Sequence, residues 1–365
     1  MGQGVELPRA KIASMIGDHS TSSAASQHPA IVSIVKVGNS VQQATREAME
    51  LAGWRDFMER GSDVSLKPNL TFDFFLPGAV TSPWVVEGVI QTIRDYVGKI
   101  YIVESNQVLV DVEKAVRQTC ILDLCQRYDV EWINMSYGRY HRRSIDKGLV
   151  LQEIDVPEIL LHTQLLTIPV MKTHGRTVIT GAIKNQWGCL TELRHKHHLV
   201  VNEALADVNS LLKPNFAVMD GTIGLEGNGP KSGIPRIADR VLASGDIVAL
   251  DTVAAKIMGF DPQTIPHIQL CAKIGLGRSD PNSISVRGEE ISNLNFKRAK
   301  NNVVALVEIL LRRSFLQGLV FNTPFFRLCV FGALTWYYIW YYLVAGKRYR
   351  DQILRDPKYG KQWTL

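Results

Sequence analysis

Short runs rich in β-branched residues alternate with amphipathic stretches through most of this chain. That alternation admits few architectures, and it points to an α/β fold: a mostly parallel sheet with helices on both faces. Strands are expected at 31–37, 63–69, 100–104 and 131–135, then at 165–171 and 216–220. Ser40 and Gln43 form a capping box for a helix running to about residue 59, and Ser82 before Pro83 marks another helix start. Further helices are expected at 113–128, 202–213 and 247–258. The tetrapeptide LKPN occurs at 66–69 and 212–215, but it ends a strand in one place and a helix in the other, so no repeat architecture follows.

With 46% hydrophobic residues in the chain, positions 30–300 can bury a substantial core, as one large α/β domain or two intimately connected halves. Residues 1–29 show no periodicity and no apolar stretch of the kind a signal peptide carries, and are expected to be disordered. Glu6 also breaks the myristoylation pattern. The five cysteines are odd in number and lack the CxxC spacing of a cluster or zinc site, which suits reduced thiols in a cytoplasmic setting.

Charge is distributed unevenly. Beyond residue 300 there are nine Lys/Arg and three Asp/Glu, which leaves 32 of each in the rest of the chain. A neutral body argues against nucleic acid as a partner. Within the basic C-terminal region, residues 328–345 (LCVFGALTWYYIWYYLVA) carry no charge, with Arg327 on one side and Lys347, Arg348 and Arg350 on the other. Eighteen helical residues rise about 27 Å, just short of a hydrocarbon core of roughly 30 Å. Trp336, Tyr337, Tyr338, Trp340, Tyr341 and Tyr342 crowd one end, where amphipathic rings favour the headgroup level. A shorter apolar stretch at 314–321 precedes Pro324, which predicts a kink. The expected arrangement is a re-entrant hairpin, with a tail anchor and an in-plane helix as alternatives. A hairpin keeps both basic flanks on the anionic cytoplasmic face, where each cation is worth about 1 kcal/mol. On this reading residues 301–346 are amphipathic and membrane-associated, 347–365 are a basic tail, and 314–345 anchor the chain at the cytoplasmic face of the bilayer.

The chemistry is expected at the carboxyl ends of the strands, where open parallel sheets bind ligands. Lys67 and Asn69 follow one strand, Glu104 and Asn106 another, Lys172 and His174 a third, and Asp220 a fourth. Lys67, Lys172 and Lys184 together imply an anionic ligand, a carboxylate or a phosphate. His174 is the expected general acid/base, or a metal ligand alongside Asp220 and Glu226, and Glu226 beside the strand-end Asp220 is equally a candidate catalytic base. The HKHH run at 195–198 fits equally a solvated basic turn. The segment GTIGLEGNGPKSGIP resembles a phosphate loop, with Gly227 and Gly229 expected to close on the anion. It is not a Walker A motif, because Pro230 precedes Lys231 and Ser232 and no helix follows.

These residues occur in a specific order. Lys67-Pro-Asn69, GAVTSP at 78–83, Glu104, Lys172-Thr-His174, IKNQWG at 183–188, Asp220, GLEGNGP at 224–230 and SGDIVALDTVAAKIMGF at 244–260 follow one another. Over roughly residues 31–290 the chain resembles the bacterial and archaeal family filed as domain of unknown function 362. The resemblance implies an α/β domain with those strand-end residues forming its site, but no reaction. Some relatives carry an attached ferredoxin-like segment. This chain lacks its cysteine spacing and has an apolar segment in that position, so an iron–sulfur cluster is not supported. The expectation is a membrane-associated enzyme acting on a small or lipid-linked anionic substrate, with a divalent metal as one candidate cofactor. The alternative is a non-catalytic binding or scaffold subunit of a membrane assembly. Oligomeric state is not legible.

Overall fold

The computed structural model describes residues 29–190, 197–300, 303–315, 317–321 and 323–363. The segment expected to be disordered lies almost wholly outside the described residues, as do the first two residues of the HKHH run.

The first half of the domain runs β1 (Ala30–Lys36), α1 (Val41–Leu51), β2 (Val64–Pro68), α2 (Pro83–Ile93), β3 (Ile100–Glu104), α3 (Val112–Gln118), α4 (Ile121–Tyr128) and β4 (Glu131–Asn134). A two-stranded excursion follows, β5 (Tyr140–Ser144) and β6 (Glu153–Pro157), and then the short helix α5 (Ile159–His162). The second half runs β7 (Gln164–Ile168), β8 (Val170–His174), β9 (Val178–Thr180), α6 (Ala182–Asn185), α7 (Val201–Leu211), β10 (Phe216–Glu226), β11 (Ile234–Ser244), α8 (Ile247–Met258), α9 (Pro266–Lys273) and β12 (Ile284–Gly288). The main sheet has ten strands in the order β12-β1-β11-β10-β7-β2-β3-β4, with β8 paired to β10 and β9 to β8. Pairing is mixed but mostly parallel; β11 runs antiparallel to both β1 and β10.

Alternate residues of each strand enter different cores. Val64 and Leu66 of β2 join Val218 of β10 beneath α1 and α2, whereas Ala217 and Met219 of β10 join the core beneath α7 and α8. This is the period of two expected of a sheet covered on both faces.

Four boundaries differ from expectation, each for a local reason. The first helix is capped as foreseen, Gln43 N donating to Ser40 Oγ, but it stops at Leu51, and Gly53 takes φ +69° just beyond. The stretch 113–128 is two helices, broken where Cys120 takes φ +57°. The strand expected at 165–171 divides at Pro169, which has no N–H to give to a ladder. Finally, β10 continues past Asp220 to Glu226, so the first half of the supposed glycine loop is strand. Glycine is required there at residue 224, where a Cβ would lie 2.6 Å from the Met171 carbonyl oxygen.

The C-terminal region forms α10 (Val303–Arg313), α11 (Gln317–Phe321), α12 (Phe325–Ile339), a π-helical turn over Trp340–Val344, and α13 (Gly346–Leu354). Among the described residues no single helix is long and apolar enough to cross a membrane. By length and composition one pair could, Phe325–Val344 with Gly346–Leu354, bent by 54°. Its bend falls at Ala345, and the chain also breaks at Pro324, between α11 and α12, as expected. One side of this unit is already occupied: Tyr337 and Tyr341 stack edge-on against Phe72, and the Tyr341 hydroxyl donates to the Phe75 carbonyl at 2.6 Å. The basic tail also folds back, with Tyr359 and Gln362 fully buried. The Tyr359 hydroxyl donates to Asp239, and the Ser82 hydroxyl meets Gln362.

Candidate functional site

Strands β2, β3 and β4 step outward in sequence, and the chain then returns to place β7 on the other flank of β2. The carboxyl ends of β2 and β7 therefore splay around a topological switch point, where doubly wound sheets bind ligands. A cavity of about 40 Å³ lies there, lined by residues that include Lys67, Asn69, Glu104, Thr180, Lys184 and Asn185.

Its floor is an ion pair. Lys67, the last inward side chain of β2, donates to Glu104 Oε2 at 2.9 Å, and both are at most 2% exposed. Ser105 N donates to the other oxygen of Glu104 at 3.0 Å. Gly188 packs directly on the pair, where a Cβ would lie 2.6 Å from both Lys67 Nζ and Glu104 Oε1. Beside the pair, Asn69 and Asn185 join their side chains, Asn69 Nδ2 donating to Asn185 Oδ1 at 2.9 Å. Asn185 Nδ2 in turn bridges the two strands, reaching the Lys67 carbonyl at 3.1 Å and Thr167 Oγ1 at 2.8 Å. Helix α6, which carries Lys184 and Asn185, is held by Asp251 of α8, whose carboxylate accepts from Ala182 N and Ile183 N.

Lys172 lies behind this layer with no exposed surface, donating to Asn69 Oδ1 at 2.7 Å and the Ala79 carbonyl at 2.9 Å. Burial pushes its ammonium well below the ordinary lysine range; Lys184, Lys231 and Lys67 push the same way and Glu104 opposes them. The field at the cavity is thus positive. Two donors there also lack protein partners: Thr180 Oγ1 and Trp187 Nε1 are buried without a hydrogen bond, and both residues line the cavity.

The structure brings Lys67, Asn69 and Lys184 together in one cavity, with Lys172 joined through Asn69. It places the others elsewhere. The Nδ1 atom of His174 accepts from Arg176 N at 3.1 Å and Thr177 N at 3.3 Å, closing the β8–β9 turn. Burial, with Lys184, pushes this imidazole well below its usual range, so it is neutral and carries its proton on Nε2. Asp220 is buried, accepting from Ser82 N at the start of α2 and from the Thr222 amide and hydroxyl. Glu226 pairs with Arg236 at 2.8 Å and Lys297 at 3.6 Å. Gly227 takes φ +77° at the turn after β10, and Gly229 packs against the β8 backbone at Thr173, while the neighbouring Pro230 reaches the cavity wall. His174, Asp220 and Glu226 do not converge, and among the described residues no group of three His, Cys, Asp or Glu is placed to hold a metal ion.

Several cavity residues escaped the sequence reading of the site, among them Glu104, noticed at its strand end but assigned no role, and Thr180, Asn185, Trp187 and Gly188. For Asn185, Trp187 and Gly188 the signal was the IKNQWG run, whose Asn and Gly are dictated by contacts across the sheet.

The fold and this crevice define an α/β protein with a lysine-lined cavity at the switch point of its sheet. The chain belongs to the family described as Domain of unknown function (DUF362), whose model matches residues 64–256. It is also similar to a thylakoid-associated protein of Synechocystis sp., at 29% identity over 237 residues covering 62% of this chain and 72% of the relative.

Proposed function

We propose that the protein is a membrane-associated enzyme whose cavity binds the anionic group, carboxylate or phosphate, of a small or lipid-linked substrate. The observation that carries this reading is an excess of positive charge around a cavity with spare donors. Lys67 and Lys184 line it beside Glu104, and Lys184, Lys231 and Lys67 all push on the ammonium of Lys172 behind it. A volume of about 40 Å³ holds about three waters at 10–15 Å³ each, which is the footprint of one oxyanion head. Lys184 supplies charge, and Thr180 Oγ1 and Trp187 Nε1 supply hydrogen bonds that bulk water does not reach. Glu104 lines the cavity beside its lysine and is the carboxylate suited to receive or return a proton, a role that the neutral, turn-bound His174 cannot take as a base through Nδ1.

Membrane association is supported by the bent helix pair and by the thylakoid association of the Synechocystis relative. An in-plane arrangement suits the geometry better than a crossing, because Tyr337, Trp340 and Tyr341 are committed to the domain and the opposite face is apolar and exposed.

The test is thermal unfolding of the full chain with increasing inorganic phosphate at constant ionic strength. A ligand that binds the folded state at a hundred times its Kd stabilises by about 2.7 kcal/mol. The midpoint should rise with phosphate in the wild type and not in Lys184→Met. An unchanged wild-type midpoint, or an equal rise in the variant, would overturn the assignment.

A further inference from the structure

Helix α12 and its π-helical turn expose a continuous apolar stripe. Leu328 is 60% exposed, Phe331 66%, Tyr338 54% and Tyr342 47%, at spacings of three, seven and four, with Leu343 at 77% at the end. These spacings keep the side chains on one helical face. The stripe ends at Ala345, where the axis bends into α13. In that bend lies an open groove of about 640 Å³, lined by Tyr342, Lys347, Arg348, Asp351, Gln352 and Arg355.

The charge of this groove is not neutralised internally. Asp351 is taken by Arg350 at 2.6 Å, and Lys347, Arg348 and Arg355 make no ion pair with a described carboxylate. Three cations therefore face solvent at the level where the apolar stripe stops. That arrangement complements the phosphate layer of a lipid surface, with rings and aliphatic groups below it and cations at its depth.

We infer that the groove between the π-helical turn and α13 is a binding site for the phosphate of an anionic phospholipid, seated while Phe331 and Leu343 enter the acyl layer. The inference rests on the membrane reading above and adds to it a preference for negatively charged lipid. Lys347, Arg348 and Arg355 hold the phosphodiester, Gln352 donates an amide N–H, and the Tyr342 ring lies at the headgroup boundary.

The experiment is co-sedimentation of the full chain with vesicles of phosphatidylcholine alone and of phosphatidylcholine with phosphatidylglycerol. It compares the wild type, the triple variant Lys347→Gln, Arg348→Gln, Arg355→Gln, and the double variant Phe331→Ser, Leu343→Ser. At roughly fivefold per cation, the wild type should favour the anionic vesicles by about a hundredfold. The triple variant should keep the weaker binding to neutral vesicles and lose the preference, and the double variant should weaken on both. Circular dichroism identical to wild type establishes that the surface substitutions leave the fold intact. Equal wild-type binding to both vesicles, or a preserved preference in the triple variant, would overturn the headgroup site and leave membrane association standing. Binding to neither vesicle would overturn both.

Discussion

Lys67 and Glu104 are buried side by side, and their side-chain hydrogen bonds run to one another and to the backbone at Pro68 and Ser105, so neither tolerates the loss of its partner. Breaking a buried pair from one side costs about 3–5 kcal/mol, because a charge remains without compensation. Lys67→Met is therefore expected to lower the unfolding free energy measured by urea titration by that amount, and the double variant Lys67→Met, Glu104→Leu to recover much of it. A double variant as unstable as the single one would show that the lysine acts through packing alone. At this scale the sequence was half readable. The lysines stood out because strand ends are recognisable from pattern. The partnership of Lys67 with Glu104 depends on β2 and β3 lying side by side, which no local pattern reveals. The same holds for Asp220 and Glu226, whose chemistry suggested a site but which are held by Ser82 and Arg236 and do not line the cavity.

Glu308 is the joint between elements. From α10 it accepts from Arg176 at 2.8 Å, beyond the end of β8, and from Arg312 one turn along its own helix, and it meets His198 Nδ1 at 3.0 Å. Burial works against its ionised form. The His198 hydrogen bond and charge, the Arg176 guanidinium and the Arg312 hydrogen bond outweigh that and hold the carboxyl well below the ordinary range. The stability it contributes is thus present above a glutamate's ordinary pKa and lost as pH falls through the lowered one. Glu308→Gln should raise amide exchange across Val303–Arg313 and the β8–β9 hairpin by tenfold or more, with the main sheet unchanged. Exchange confined to wild-type rates in both elements would show that the joint carries no load. Among the elements, Ile247–Met258 and Ile100–Glu104 match their expected bounds, since each has a strong period and, for the helix, an Asp246 cap. The misjudged boundaries lie at Gly53, Cys120 and Pro169, where a single backbone angle or a missing N–H overrides the hydrophobic pattern.

The molecule as a whole carries a proton-dependent term through Asp251, which grips the amides that begin α6 and so fixes Lys184 and Asn185. Burial raises its carboxyl from 3.8 to about 7 against the pull of those two amides. Its folded pKa lies above its unfolded one, so its contribution is fully present below about pH 4 and is lost as pH rises through about 7. Measured as the difference from Asp251→Asn, wild-type stability should decline steadily over that window; a pH-independent difference would mean that the carboxyl titrates normally. The two-faced α/β architecture was legible from alternation alone. The course of the C-terminal region was not, because its aromatic residues suit a bilayer and a protein core equally well, and here they serve the core on one side. Tyr337 and Tyr341 bind that region to the loop after β2, and Tyr359 and Gln362 bind it again beyond the bend, next to Asp239 and Ser82. A segment clasped at two points cannot swivel. Whatever surface its outer face rests upon, the lysine-lined crevice is carried at one constant height and tilt, like an instrument bolted to its stage.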